Sequence, residues 1–478
     1  MSATISDLLK ELLAYPTFWI LLGGFAMSLW MWRSRGVRTP PEMPVTTMAR
    51  WLSSPWFLVC ATCLGVANAA IAIDLCYTAP LDVSQDTASA QLLLRGEPIY
   101  RPDMNSLVLD ALRNDPAKWS LGTHWHTLRI KEAWENTFTG GPNGWGQAHP
   151  PLMTMFYALS VALVGVRGSC LGISVLSLAA LGVVLFLLRQ AFAPAMQGRM
   201  LLAFVAIILG WGPMISLFRQ GQSGLVLSAL MVLGWWCLRV KREAWAGIAI
   251  GVATCLKLYP GLLLVYFLLR HRRAFWAACL TILALVGSSL AVVRWQDYLD
   301  YFQTTHMVVA RYSSSPMNIS VLGFLTRDLG LKESPGFAML LLSLAGLLLV
   351  GSTAWLVHRG TGERPVVRGS LDLEYALFVL PIPLLSPFTW DHYLLILLLP
   401  VAILGNRILQ TWHWPPICGF FGMLTALSLP IPTRPGSHVA ATTLMVIATG
   451  VAVATLWLWA TKLYRESYLG PRINEIPV

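Results

Sequence analysis

The stretch Ser169-Cys-Leu-Gly-Ile-Ser-Val-Leu-Ser-Leu-Ala-Ala-Leu-Gly-Val-Val-Leu-Phe-Leu-Leu188 contains no charged side chain. A helix needs roughly 20 residues of this kind to cross the hydrocarbon core of a bilayer, so the stretch predicts a transmembrane helix. Similar apolar blocks recur along most of the chain, separated by short polar or basic segments. They lie near 17–33, 53–77, 151–166, 169–188, 200–217, 224–238, 244–258, 260–270, 275–293, 336–357, 372–386, 393–406, 415–430 and 439–461.

The composition supports the same conclusion. Of the 478 residues, 56% are hydrophobic and only 12% are charged, whereas charged residues make up about a quarter of a soluble domain. The 21 Trp residues also suit a membrane protein, because indole rings gather at the level of the lipid headgroups. We predict an all-α polytopic membrane protein with a bundle of about 11–13 transmembrane helices and a large first outer loop.

The basic residues fall in short clusters between the apolar blocks. The net charge of +11 therefore indicates orientation in the membrane rather than binding to nucleic acid, because Lys and Arg concentrate in cytoplasmic loops. The clusters are Arg33/Arg35/Arg38, Arg239/Lys241/Arg242, Arg270/Arg272/Arg273, Arg359/Arg364/Arg368, Arg407 and Lys462/Arg465. With these on the cytoplasmic side, 78–149, 294–335, 387–392 and 431–438 face the outside.

The first apolar block is followed, not preceded, by its basic residues. A signal peptide carries its charge before the apolar segment and a small-residue cleavage site after it. We therefore predict that the block near 17–33 is a retained helix.

Further along, an even number of crossings must separate 53–77 from 224–238, but three blocks lie between them. One of these three is expected to be a half-crossing or re-entrant segment, and the sequence leaves open which.

Polar motifs stand at the ends of several apolar blocks, all on the predicted outer face. They are Asp82, Gly221-Gln222-Ser223-Gly224, Lys257-Leu-Tyr-Pro260 and Ser386-Pro-Phe-Thr-Trp-Asp-His-Tyr393. The topology that brings them to one side was drawn from the basic clusters alone. Charged groups in or beside membrane segments commonly mark functional sites. This agreement predicts a site on the outer face.

These motifs, in their order along the chain, resemble glycosyltransferase family 87. The resemblance rests on Asp82 followed by Gly96, on His149-Pro150-Pro151-Leu152 where the family usually shows Tyr-Pro-Pro, on Gly221-Gln222, on Lys257-Leu-Tyr-Pro260, on Asn318-Ile-Ser320, and on Ser386-Pro387 with Trp390-Asp-His392-Tyr393. It covers roughly residues 53–461. Two positions depart from the family: Asp86 replaces an aromatic residue, and Ser223-Gly224 replaces an Asn region. These departures concern the identity of the sugars more than the reaction.

The resemblance implies a membrane fold of the GT-C type over residues 41–478, with residues 1–40 as an additional N-terminal transmembrane helix. It implies a polyprenyl-phosphate-linked hexose, mannose in many members, as donor, and an acceptor hydroxyl on a glycan or glycolipid. The expected place is the plasma membrane, with the active site on the non-cytoplasmic face. Membrane lipid is an expected partner, and nucleic acid, metal and cofactor are not.

The chemistry of such a transfer calls for few groups. A lipid phosphate is a good leaving group, so one carboxylate suffices to take the proton of the acceptor hydroxyl. Cations stabilise the charge that grows on the departing phosphate. We predict that Asp82 is the base and that Lys257 and His392 bind the phosphate, with inversion at the anomeric carbon. Further candidates that orient sugar or phosphate are Gln222, Arg219 and Asn318.

Each of these residues also has a structural interpretation. Asp82 could cap the amphipathic run that follows it, Lys257 could extend its ammonium group to the headgroups, and His392 could lie at the interface. The other carboxylates of the outer loop, Asp86 among them, are expected to be solvated. Asp372-Leu-Glu374, on the predicted cytoplasmic side, is expected to begin a helix rather than bind a metal.

Two other functions remain open. A ligase or polymerase of lipid-linked polysaccharide would be expected to place paired Arg and His in a late outer loop, and 431–438 offers only Arg434 and His438. A lipid or solute transporter would favour repeated halves and broken helices at matched positions. Neither pattern is visible in the sequence. His124-Trp-His126 could bind a metal, but no third ligand at a suitable spacing accompanies it.

Overall fold

The computed structural model describes 54–78, 82–100, 149–192, 198–315, 318–359, 368–411, 419, 422–427 and 439–469. Within these ranges, every regular element is helical, so the all-α prediction is confirmed. The predicted N-terminal helix, the rest of the first outer loop with His124 and His126, and the late outer loop lie outside the described residues. The domain division at residue 40 therefore stays a prediction.

The helices of the first half surround the segment that links Gly221 to Lys257. In chain order they are α1 (Pro55–Thr78), α2 (Asp82–Leu94), α3 (Pro151–Phe192), α4 (Gly198–Leu209), α5 (Gly212–Gln220), α6 (Gly224–Arg239), α7 (Glu243–Leu256), α8 (Leu263–Arg270) and α9 (Arg272–Ser289). A short 3₁₀ turn, Tyr259–Leu262, precedes α8. The long helix α3 consists of two arms joined at Gly165, where the backbone leaves the helical region.

The second half adds an amphipathic helix and the helices that close the bundle. They are α10 (Trp295–Tyr312), α11 (Pro335–Arg359), α12 (Arg368–Val379), α13 (Ile382–Leu385), α14 (Leu398–Thr411) and α15 (Val439–Leu469). A 3₁₀ helix, Asp391–Leu397, leads into α14. The main apolar core joins α3, α5, α6, α8, α12, α14 and α15.

Three described helical segments are long and apolar enough to cross a membrane: Gly168–Phe192, Pro335–Arg359 and Val446–Arg465. A fourth results if α5 and α6, bent by 119° at their junction, count together. On α11, Leu347 and Leu348 are 70% and 72% exposed, as expected for side chains that face lipid tails. The chain is a polytopic membrane protein. The predicted total of about 11–13 crossings stays a prediction.

The block near 200–217 does not form one helix. It divides into α4 and α5, with Gly210 and Trp211 between them. Pro213 stands in the first turn of α5, where its missing N–H costs no hydrogen bond. The other two blocks that the topology could not place form the two arms of α3. This division and the 119° bend between α5 and α6 are the features expected of a half-crossing or re-entrant segment, and its assignment to the block near 200–217 stays a prediction.

Small residues allow α7 and α9 to pack very closely. A Cβ added at Gly247 would lie 2.1 Å from the carbonyl oxygen of Ala274, and one at Gly251 would lie 2.9 Å from that of Ala278. Glycines spaced four residues apart let two helix backbones approach in this way. The contact fixes the direction of α7, whose last residue precedes Lys257.

Buried ion pairs hold the opposite ends of these helices together. Asp372 accepts a hydrogen bond from the indole of Trp235 at 3.0 Å and lies 3.5 Å from Nε of Arg239. Glu374 accepts two hydrogen bonds from Arg270. Helix α12 begins at Arg368, so Asp372 and Glu374 lie in its second turn, and the prediction that this motif begins a helix is not met. Two of the basic clusters therefore lie at the same end of the bundle.

Candidate active site

A glycine turn brings α5 against the beginning of α2. Gly221 ends α5 with φ 65° and ψ 39°, in the left-handed region that a residue with a Cβ rarely adopts. A Cβ at this position would also lie 2.7 Å from Cβ of Val83 and 2.9 Å from Sγ of Cys76. The hydroxyl of Tyr157 donates to the carbonyl of Gly221 at 2.9 Å. Glycine is thus required here, and it places the next residue, Gln222, beside Asp82.

The amide of Gln222 connects the predicted base to a predicted phosphate ligand. Its Nε2 donates to Oδ2 of Asp82 at 3.2 Å, and its Oε1 accepts a hydrogen bond from Nζ of Lys257 at 2.8 Å. Gln222 is buried, so both ends of the amide are satisfied by these two charged groups. Three of the residues predicted from sequence therefore form one hydrogen-bonded chain.

Lys257 lies where α7 ends. Its backbone is extended (φ −146°, ψ 139°), so the side chain leaves the helix and enters the bundle. It is only 4% exposed, and its Nζ lies 4.6 Å from the ring centre of Tyr393. An ammonium group over an aromatic face is stabilised by the negative charge of the ring face. This position contradicts the alternative in which Lys257 reaches the headgroups.

His392 is buried in the short turn that follows α13. Neither ring nitrogen makes a hydrogen bond within the described residues, and Nδ1 lies 3.6 Å from Oδ1 of Asp391. Burial lowers the pKa of His392 to about 4, although Asp391 opposes the change. The ring is therefore neutral at pH 7 and retains one N–H donor. A buried imidazole with both nitrogens unused is suited to binding a polar group of a ligand.

Asp391 is engaged by groups other than the imidazole. Its Oδ1 accepts a hydrogen bond from Oγ of Ser216 at 2.7 Å and another from the backbone N–H of His392 at 2.8 Å. Ser216 belongs to α5, the same helix that ends at Gly221. The turn that carries His392 is therefore attached to the helix that positions Gln222.

Asp86 is buried, so the prediction that it is solvated is wrong. It is 0% exposed, and its Oδ1 lies 2.7 Å from Nδ1 of His149. The carbonyl of His149 accepts a hydrogen bond from the hydroxyl of Tyr100. Asp86 lies one helical turn after Asp82 on α2, so both carboxylates lie on one face of that helix. That spacing was the signal in the sequence, but the partner at His149 was not visible there.

The environment of Asp82 favours its protonated form. Burial raises the pKa of Asp82 to about 6, and the neighbouring Asp86 and Asp391 also raise it, whereas His149 and Lys257 lower it. A carboxylate with a pKa near neutrality is a better base than one with an ordinary pKa, provided that it is ionised. Asp82 is the first residue of α2, where the helix N-terminus stabilises the carboxylate and so opposes the effect of burial.

Asn318 stabilises the local backbone and has no hydrogen bond to Asp82, Gln222 or Lys257 among the described residues. Its Nδ2 donates to the carbonyls of Ser313 and Pro387, both at 3.2 Å. Its Oδ1 accepts hydrogen bonds from the backbone N–H groups of Ser320 and Thr389. Because backbone groups engage both ends of the amide, we assign Asn318 to positioning the turn before His392. That Asn318 also contacts sugar or phosphate stays a prediction.

The last predicted ligand, Arg219, lies in the final turn of α5 and is exposed. It makes none of the contacts that connect Asp82 to Lys257. Sequence reasoning also gave no role to Tyr259, whose ring lies 5.4 Å from that of Tyr393. The hydroxyl of Tyr259 is buried and has no hydrogen-bond partner within the described residues. It is a further polar group beside Lys257 that a ligand could satisfy.

Comparison with known proteins bears on the region that holds most of this site. Residues 148–371 match glycosyltransferase family 87. The resemblance that the motifs indicated is therefore confirmed over this range. The family 87 match includes His149, Gln222 and Lys257, whereas Asp82 and His392 lie outside it.

Three similar proteins carry names that specify a reaction. A polyprenol-phosphate-mannose-dependent alpha-(1-2)-phosphatidylinositol mannoside mannosyltransferase of Mycolicibacterium smegmatis is 31% identical over 236 residues, which are 46% of this chain and 48% of that protein. Its namesake from Mycobacterium tuberculosis is 33% identical over 229 residues, 45% of this chain and 50% of that protein.

The third, a Mycobacterium tuberculosis protein whose name specifies a phosphatidylinositol pentamannoside, is 30% identical over 282 residues, 55% of this chain and 61% of that protein. The chain thus spans about half the length of the first two relatives. No solved structure matches the chain.

Proposed function

We propose that this chain is a membrane glycosyltransferase that moves a hexose, mannose, from a polyprenyl-phosphate donor to a hydroxyl of a glycolipid acceptor. The observation that carries the proposal is the hydrogen-bonded chain from Asp82 through Gln222 to Lys257. The amide of Gln222 holds the carboxylate of Asp82 at one end and the ammonium group of Lys257 at the other. Such a pair fits a reaction in which a proton leaves one reactant while negative charge grows on the other.

In this mechanism, Asp82 accepts the proton of the acceptor hydroxyl. The hydroxyl oxygen forms a bond to the anomeric carbon while the bond between that carbon and the phosphate oxygen breaks. The bonding electrons leave with the polyprenyl phosphate. Attack from the face opposite the phosphate inverts the anomeric carbon. No covalent intermediate is needed, so one carboxylate is sufficient.

Lys257 and His392 bind the departing phosphate in this proposal. Lys257 supplies a positive charge that Gln222 and the ring of Tyr393 hold in place. His392 supplies a neutral N–H donor from a ring whose nitrogens have no partner within the described residues. Groups that are fixed before the reaction stabilise the growing charge without having to reorganise.

Asp86 and His149 enter the proposal as a positioning pair. The carboxylate of Asp86 fixes the orientation of the His149 ring, and His149 lowers the pKa of both Asp82 and His392. We infer that His149 tunes the basicity of Asp82.

The membrane side and the acceptor follow from separate arguments. Asp82 and His392 fall in segments that the basic clusters assign to the non-cytoplasmic face, so we place the reaction there, at the plasma membrane. The named relatives act on phosphatidylinositol mannosides according to their names. We infer a related glycolipid for this chain, because a membrane-bound acceptor can reach a site that lies at the ends of membrane helices.

The test is a transfer assay with the purified full-length protein in lipid nanodiscs. The donors are polyprenyl phosphates carrying radiolabelled mannose or glucose, with the nucleotide-linked form of mannose as the control. We expect label to move to a phosphatidylinositol mannoside from polyprenyl-phosphate mannose, with release of polyprenyl phosphate. Direct consumption of the nucleotide sugar, or no consumption of either lipid-linked donor, would overturn the proposal.

A further inference from the structure

A cavity lies at the far end of α6 and α7 from the Asp82 cluster. Its volume is about 780 Å³, within the range of ligand-binding pockets. Helix α6 has 16 residues, so at a rise of 1.5 Å per residue its two ends are roughly 24 Å apart. The cavity is therefore separate from the site proposed above and lies toward the opposite membrane surface.

Positive charge dominates the walls of this cavity. Four basic side chains line it: Arg239, Lys241, Arg242 and Arg273. The carboxylate that also lines it, Glu243, is already paired with His271 at 2.9 Å. Within the described part of the chain, no ion pair engages Lys241, Arg242 or Arg273. The cavity thus has an excess of cations that a bound anion would neutralise.

Arg239 is held rigidly at the wall of the cavity. Its guanidinium group stacks over the rings of Trp235 and Phe192, at 5.0 and 5.7 Å from their centres. Its Nε lies 3.5 Å from Asp372, while Nη1 makes no hydrogen bond within the described residues. Asp372 therefore leaves part of this guanidinium unused. A planar, fixed guanidinium with spare donors is suited to binding phosphate oxygens.

The turn between α6 and α7 places a lysine where glycine is the usual residue. The backbone N–H of Arg242 donates to the carbonyl of Cys237, and that of Lys241 donates to the carbonyl of Leu238. This pair of bonds ends a helix with a residue in the left-handed region, most often glycine. Lys241 has φ 60°, the one described residue other than glycine with positive φ. A lysine at this position is strained in its backbone, whereas a glycine would not be, and it adds a basic side chain to the cavity wall.

The surroundings of the cavity indicate contact with lipid. Trp245, in the first turns of α7, lines the cavity and is 59% exposed. Indole rings prefer the level of the lipid headgroups, so the cavity opens at that depth. Basic pockets between membrane helices at the cytoplasmic surface are typical binding sites for the headgroups of anionic lipids. A soluble anion would not require an apolar rim.

We propose that this cavity binds the phosphate-bearing headgroup of an anionic phospholipid. In this proposal the phosphate contacts Arg239. The side chains of Lys241, Arg242 and Arg273 surround the phosphate, and the acyl chains leave the cavity past Trp245. The site is independent of the glycosyltransferase reaction proposed above. A simpler explanation is that these cations only orient the protein in the membrane. It predicts that basic residues inside and outside the cavity, at this end of the bundle, contribute equally to the retention of anionic lipid.

The structure supplies matched variants for the test. Lys241→Gly removes one charge and relieves the left-handed backbone, so it keeps the fold. Arg273→Gln changes an exposed side chain of α9. The control is Arg359→Gln, which changes an exposed arginine that lies over its own Trp355 ring at 4.1 Å and does not line the cavity. The control and Arg273→Gln alter the net charge by the same amount.

The measurement is native mass spectrometry of the full-length protein exchanged between nanodiscs of phosphatidylglycerol and of phosphatidylcholine. We expect preferential retention of phosphatidylglycerol by the unchanged protein and by Arg359→Gln. Each cavity variant should weaken that retention roughly five-fold. Equal loss in Arg359→Gln, or no preference between the two lipids, would overturn the proposal. So would binding of inorganic phosphate, in a parallel titration, by a cavity that does not retain phosphatidylglycerol.

Discussion

The ammonium group of Lys257 donates a hydrogen bond to the side-chain oxygen of Gln222 at 2.8 Å, although the two residues are 35 positions apart. The nitrogen of the same amide donates to Asp82. An amide is suited to this position because it offers an acceptor to the cation and a donor to the carboxylate. Gln222 thereby fixes the distance between the two charged groups and keeps them from forming a direct ion pair.

The first prediction concerns this bridge. Gln222→Met keeps the length of the side chain but removes both hydrogen bonds, so Lys257 and Asp82 lose their fixed geometry. We expect kcat at saturating donor to fall about 10- to 100-fold, because a small misplacement of reacting groups is costly. The thermal midpoint should also fall, because a buried ammonium is left without its acceptor.

The control for the bridge is Gln296→Met, which removes an exposed glutamine of α10 that bonds only to Asp300 among the described residues. Steady-state kinetics and thermal unfolding are measured for both variants. If Gln222→Met and Gln296→Met have the same kcat, then the bridge has no part in the reaction.

The second prediction concerns the phosphate. Lys257→Met and His392→Ala should each lower kcat at saturating donor by about 10²- to 10³-fold, because removing one fixed donor to a developing charge has effects of this size. Added chelator should change neither the wild-type rate nor the residual rates, because these two side chains stabilise the phosphate in our account. The measurement is steady-state kinetics with and without chelator.

Exposed residues of the same types provide the controls for the phosphate variants: Lys332→Met and His306→Ala. Both controls should retain the wild-type rate. Normal rates in Lys257→Met and His392→Ala, or loss of wild-type activity in chelator, would place phosphate binding elsewhere.

The third prediction is a dependence on pH. Burial raises the pKa of Asp82 to about 6, and only the ionised carboxylate accepts a proton. The rate should therefore be full above this value and decline as the pH falls through about 6. His149 lowers the pKa of Asp82, so His149→Gln should move the decline to higher pH. A profile of kcat/KM between about pH 5 and 8 measures both effects, and a flat profile in the wild-type protein would contradict the assignment.

The fourth prediction concerns topology. Arg95, just after α2, and Arg273, at the start of α9, are both exposed and lie in segments assigned to opposite membrane faces. In a cysteine-free background, Arg95→Cys should react with an impermeant maleimide on intact cells, and Arg273→Cys only after lysis. The reverse pattern would place the Asp82 cluster on the cytoplasmic side and remove the argument for an outer-face reaction.

The three residues of the hydrogen-bonded chain could be predicted from the sequence because each occupies a motif at the end of an apolar block. Asp82, Gln222 and Lys257 could be assigned to one membrane face from the basic clusters alone. Their bonding to one another depends on the glycine turn at Gly221, whose close approach to Val83 is a tertiary feature. The break in the block near 200–217 was marked by Gly212-Pro213, a signal that apolarity alone hides.

The expectation that Asp86 is solvated failed for a physical reason. A carboxylate in a polar loop is solvated unless a distant partner buries it, and the partner of Asp86 is His149, 63 positions away. The backbone groups that engage Asn318 likewise include Pro387, 69 positions away. Pairings over such separations leave no pattern in a single sequence, so burial and hydrogen bonding at these two residues could not be predicted.

The most direct measurement is the single-turnover rate of Asp82→Asn with polyprenyl-phosphate mannose as donor. The amide keeps the shape of the side chain but cannot accept the proton, so the rate should fall about 10²- to 10⁴-fold while the protein stays folded by circular dichroism. Asp300→Asn, on α10, is the matched control and should retain the wild-type rate. Near-normal turnover in Asp82→Asn, together with an inactive Asp86→Asn, would show that the base is Asp86 and would contradict our account.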